Sequence, residues 1–144
     1  MKKTICLTLI VLVVVSCLTA CNFTLNNLKD TAESTPKVEE MMAALINGNV
    51  SDAKALLHPQ ASGDATNAIN QMINYLNGRS VNSIDLLNVN FTSSVGTSGQ
   101  MRQEQATYKT TLNSTEVIYI TAVYLNNNAG SGFISFQLVL GVVS

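Results

Sequence analysis

The sequence predicts an α+β domain in which three helices precede a four-stranded antiparallel meander. Three observations carry that expectation. Up to Gly78, apolar residues recur at helical spacing in three short segments. Beyond Gly78 the period changes to two and stays there to the end of the chain. The alternating segments are joined by short loops, so neighbours in sequence should also be neighbours in the sheet. Helices segregated from strands in this way define the α+β class.

The first helix starts near Thr35-Pro36. Thr35 can cap the orphan amides, and Pro36 fits a first turn that needs no donor there. Glu39 and Glu40 suit the positive end of the helix dipole. Val38, Met41, Met42, Leu45 and Ile46 form one apolar stripe, and Gly48 supplies a left-handed cap. A short second helix follows, capped by Asn49 or Ser51, with Val50, Ala53, Leu56 and Leu57 inward. Pro59 stops it and pushes His58 toward an extended backbone. The third helix runs from about Asp64 to Asn77. Its stripe is Ala65, Ala68, Ile69, Met72, Ile73 and Leu76, and Gly78 ends it.

Residues 82–93 read as a half-buried strand with Asp85, Leu87, Val89 and Phe91 on one face. Ser93 to Gly99 read as a flexible connection. Residues 101–112 form a second, more polar strand, and Asn113-Ser114 a tight turn. Residues 116–125 alternate Val117, Tyr119, Thr121, Val123 and Leu125 against Ile118, Ile120, Ala122 and Tyr124. Both faces are apolar, which predicts a central strand. After a turn at Asn126–Gly130, residues 132–143 give a fourth strand with Ile134, Phe136, Leu138, Leu140 and Val142 on its apolar face.

Three stretches carry a family likeness: Leu45-Ile46-Asn47-Gly48-Asn49, Ala53-Lys54-Ala55-Leu56-Leu57-His58-Pro59, and Tyr75-Leu76-Asn77-Gly78-Arg79. With the terminal meander, they make residues 36–143 resemble a cystatin-like, nuclear-transport-factor-two-like domain of small bacterial lipoproteins, many of them domains of unknown function. The resemblance implies helices packed on a curved sheet around a cone-shaped hollow, and dimerisation through the sheet. The chain lacks the strand pair that larger members carry between their helices.

Lys2 and Lys3 followed by the apolar run Ile5–Val15 have the layout of a secretory signal. The run falls short of the ~20 residues a spanning helix needs. Leu18-Thr19-Ala20-Cys21 then resembles the lipobox of bacterial lipoproteins at all four positions. The resemblance implies cleavage before Cys21, a diacylglyceryl thioether on its sulfur and an acylated new amino terminus (palmitate-type chains). Two acyl chains hold a protein stably on a bilayer where one does not. The expected organisation is a signal peptide over 1–20, a flexible tether over 21–35 and one domain over 36–144. The expected location is extracytoplasmic, on the cell membrane or the outer membrane.

Removing Lys2 and Lys3 with the signal leaves 6 basic against 9 acidic residues, a formal charge of −3. Such a balance excludes the basic stripe of a nucleic-acid binder. Cysteines stand at 6, 17 and 21, so the mature domain would hold no disulfide.

No catalytic set is visible. His58 is the only histidine, and no cluster has metal-ligand spacing. No phosphate-cradling glycine loop or cofactor fingerprint occurs. Asp85 is the one candidate general base, because a carboxylate on an apolar strand face would have a raised pKa. Arg102 and Glu104 read as a solvated face. Tyr108, Tyr119 and Tyr124 are candidate pocket hydroxyls. The leading functional expectation is a lipid-anchored envelope module that binds a small ligand or an envelope protein, with a homodimer through the sheet as a further possibility. The alternatives are a small isomerase or hydrolyase using Asp85, and a structural or partner-inhibiting lipoprotein.

Overall fold

The computed structural model describes residues 32–61, 63–97 and 99–141. The signal, lipobox and tether therefore lie outside the described residues, apart from the last few tether positions, and so does Val142. Among the described residues three helices, α1 (Ser34–Ile46), α2 (Val50–Ala55) and α3 (Ala65–Leu76), precede four strands. The strands are β1 (Asp85–Gly96), β2 (Gly99–Leu112), β3 (Glu116–Asn127) and β4 (Gly130–Leu140). They pair antiparallel in the order β1-β2-β3-β4, so the domain is α+β with a meander, as the change of period predicts. β3 is an inner strand, as its two apolar faces predict; β1 and β4 are the edges.

The helices cover one face of the sheet. Glu104, Ala106, Tyr108, Thr110 and Leu112 of β2 and Ile118, Ile120, Ala122 and Tyr124 of β3 are all buried. The intervening residues Thr107, Thr121, Tyr119 and Val123 remain half-buried on the other face. Val38, Met41, Met42 and Leu45 of α1 and Ile69 and Leu76 of α3 complete the core. At 25 cal/mol per Å², each such side chain contributes about 1.5–3 kcal/mol.

Local chemistry sets the boundaries. Asn49 caps α2 by accepting from Asp52 N–H at 3.1 Å, and Asp64 caps α3 by accepting from Asn67 N–H at 3.1 Å. Gly48 and Gly78 both adopt positive φ, +68° and +71°, where a Cβ would be strained. Asn113 and Ser114 turn the β2–β3 hairpin with φ of 49° and 62°, as the tight-turn expectation requires.

Four expectations are corrected. The 93–99 connection is strand: Gly96 pairs with Gly99, and β1 and β2 run on as a hairpin that turns at 97–98. An irregularity between Leu86 and Asn88 resets the alternation in β1. Leu86 and Val89 are buried on the helix side, whereas Leu87 is exposed and Asp85 pairs with Lys109 on the open face. A second irregularity, between Val123 and Tyr124, leaves Ile134 without a partner in β3 and out of the Phe136–Leu138–Leu140 row. Finally, α1 starts at Ser34, and no side chain at its N-cap residue, Glu33, accepts from the helix amides.

Candidate functional site

The missing cap of α1 comes from the sheet. The Glu104 carboxylate accepts from Glu33 N–H at 3.2 Å and from Ser34 N–H at 3.0 Å. Arg102 Nη2 lies 2.9 Å from the same carboxylate. Thr35, expected as the cap, instead directs its Oγ1 to the Tyr108 hydroxyl at 3.3 Å, beside Ser34 Oγ at 2.9 Å. Burial pushes the Tyr108 phenol above its ordinary pKa, against the opposing pull of the Ser34 and Thr35 hydrogen bonds; the Glu104 charge adds to the rise. Glu104 is thus not on a solvated face: it is 1% exposed. Its parity with Ala106, Tyr108 and Leu112 places it inward, and that parity was the signal available in the sequence. This cluster is internally satisfied and holds α1 to β2.

His58 is 2% exposed. Its Nδ1 accepts from Gln60 N–H at 3.0 Å, so Nε2 carries the proton and donates to the Gly130 carbonyl at 3.1 Å. The ring therefore ties the end of α2 to the β3–β4 turn. Gly132 permits this approach, because a Cβ there would lie 2.5 Å from His58 N. The backbone is joined too: Phe133 N–H donates to Leu56 O at 2.9 Å and His58 N–H to Phe133 O at 3.0 Å.

Asp85 is exposed, and Ser83 Oγ donates to it at 3.4 Å. The site lacks the burial that a raised-pKa base needs, so the geometric reason for choosing Asp85 falls away. The three tyrosines do not share a hollow. Tyr108 is committed to α1, and Tyr124 packs edge-on against Phe133 at 5.3 Å between ring centres. Tyr119 lies on the opposite face, paired with Lys109 and Val139.

The space that could receive a ligand is elsewhere. A groove of about 590 Å³ runs between α3 and β4, floored by Ile118, Phe136, Leu138 and Leu140 and walled by Met72 and Tyr75. Gln71 and Gln137 are its polar groups. Tyr75 is held by Glu116, to which its hydroxyl donates at 2.8 Å, and by the Arg79 guanidinium 4.5 Å above its ring. Arg79 also pairs with Glu116. Burial, then the Glu116 hydrogen bond, raises the Tyr75 pKa, so the phenol stays neutral at physiological pH. An apolar, half-open groove with amide groups suits an apolar chain or an extended backbone. No His, Cys, Ser, Thr, Lys, Asp or Glu side chain lines it, and the Tyr75 hydroxyl is engaged by Glu116. Sequence reading found α3's stripe but missed the groove, because the side chains lining it look like ordinary core.

Among the described residues no group of three His, Cys, Asp or Glu side chains could hold a metal ion. No described helix is long and apolar enough to cross a membrane. No family model, curated protein or solved structure matches this chain.

Proposed function

We propose that the protein is a lipid-anchored module of the cell envelope that engages an apolar partner or ligand at the α3–β4 groove. The observation that carries the anchoring is the run from Lys2 through the apolar segment to Leu18-Thr19-Ala20-Cys21. The observation that supports a binding role is an apolar groove in a domain whose buried polar side chains, among the described residues, are all hydrogen-bonded within the fold. In this reading the domain is a cystatin-like cone, with the three helices as the filled side of the hollow. Asp85, open to solvent, gives no support to the enzyme alternative.

The test is fractionation of cells making the natural chain or Cys21→Ser, with labelled palmitate in the medium. The natural chain should take up label and sediment with membranes. The Cys21→Ser chain should take up none and either remain unprocessed or leave the membrane fraction. A Cys21→Ser chain that still fractionates as a labelled, processed lipoprotein contradicts the reading.

A further inference from the structure

β4 is the edge on which the groove opens, and its backbone is directed outward in a self-complementary way. Gly141 N–H donates to Val117 O at 2.9 Å, so residue 141 faces β3. In an antiparallel ladder the polar groups of successive residues point to alternate sides. The N–H and C=O of Val139, Gln137 and Ser135 therefore face β3, and those of Leu140, Leu138 and Phe136 face away from the sheet. The outward groups of Phe133, beyond the irregularity at Ile134, are taken by Leu56 and His58. Among the described residues no backbone hydrogen bond reaches those of Phe136, Leu138 and Leu140.

Sheets ordinarily protect such an edge with charge or proline. The stretch Gly130–Leu140 carries neither. Val139 is 46% and Leu140 58% exposed. The groove touches residues 136–140 on both faces of the strand, so it is continuous with the bare edge.

We infer that this edge receives the β4 strand of a second copy of the chain, antiparallel about a two-fold axis at Leu138, joining two four-stranded sheets into one. With Leu138 facing Leu138, Phe136 faces Leu140 on each side. All three are outward-bonding positions, so each facing pair exchanges two N–H···O bonds, about six in all. The three side chains from the partner strand enter the groove under α3 and meet the apolar floor. No charge lies on either strand, so a copy meets no like charge. This inference rests on the anchored-module reading for its concentration. The chain from Cys21 to the first helix is at most about 13 residues, ~45 Å extended, so anchored domains meet within one plane near the bilayer.

The experiment is oxidative cross-linking of the full lipidated protein in membranes, carrying Leu138→Cys or Gln137→Cys, beside the natural chain. On the axis, the two residue-138 Cα atoms are about 5.5 Å apart, within disulfide range. The two residue-137 Cα atoms are offset by two residues, about 8 Å apart, beyond it. A covalent dimer with Leu138→Cys and none with Gln137→Cys is expected. Leu140→Pro should shift the natural protein in detergent from dimer to monomer mass while leaving its circular dichroism unchanged, since that N–H bonds nothing in β3. A folded Leu138→Cys protein that stays monomeric on oxidation overturns the inference. A Leu138→Cys thiol shielded by a different protein, without self-cross-linking, overturns it equally. If the natural chain itself cross-links, a thiol at Cys6, Cys17 or Cys21 is free and the anchoring reading fails. Leu138→Cys in a background with Cys6, Cys17 and Cys21 all replaced by Ser then decides the interface alone.

Discussion

At the scale of single residues, Glu104 and Tyr108 show how a buried polar group can serve as structure. Glu104 satisfies two amides at the start of α1 and meets Arg102. Glu104→Ala would leave those donors without an acceptor and is expected to cost about 2–4 kcal/mol in urea unfolding. Glu104→Gln, which keeps one oxygen, should cost less. Equal losses for the two variants would contradict a capping role. Tyr108 predicts a pH dependence. Its phenol is held neutral more strongly in the fold than in the unfolded chain. Its contribution is therefore fully present below pH ~10 and declines as pH rises through the folded-state pKa. Tyr108→Phe leaves the Ser34 and Thr35 hydroxyls without their partner and should cost about 1–2 kcal/mol at pH 8. Its urea midpoint should then fall less than that of the natural chain between pH 8 and 11. A fall as steep as the natural chain's would assign the alkaline loss to other groups.

At the scale of elements, the contact between β4 and the end of α2 depends on one glycine. A Cβ at Gly132 would overlap Leu57 C and His58 N at 2.7 and 2.5 Å, both backbone atoms that cannot swing aside. Gly132→Ala should cost about 2–3 kcal/mol by overpacking, and amide exchange at His58 and Phe133 should accelerate. Unchanged exchange there would contradict the pairing. Gly132 also marks where sequence reading stopped. The type of each helix and strand was legible, because a stripe at 3.6 or 2 survives small errors of boundary. The facing of Asp85 and Ile134 was not, because each irregular pairing shifts parity by one residue, and a bulge leaves no mark in composition. Glu104 was legible by parity, yet its charge argued for solvent. Only the position of the α1 amides reveals its partner. The groove was illegible for a third reason: the lack of a covering element beside Leu138 is a property of topology.

At the scale of the whole molecule, the domain is a single sheet with helices on one face and a bare, uncharged edge. Lipid attachment would hold such domains at high concentration in two dimensions, where a weak edge contact suffices for assembly. Detaching the lipid should therefore release the protein and lower the dimer fraction without abolishing the contact, so anchoring is the claim on which the rest depends. Intact mass spectrometry of the protein extracted from its native membrane tests that claim most directly. The expected mass is that of residues 21–144 plus a diacylglyceryl group, with or without one further acyl chain on the new amino terminus, all of the added mass lying on the peptide that begins at Cys21. A chain that still carries its first twenty residues, or that begins at Cys21 with a free thiol, would contradict it.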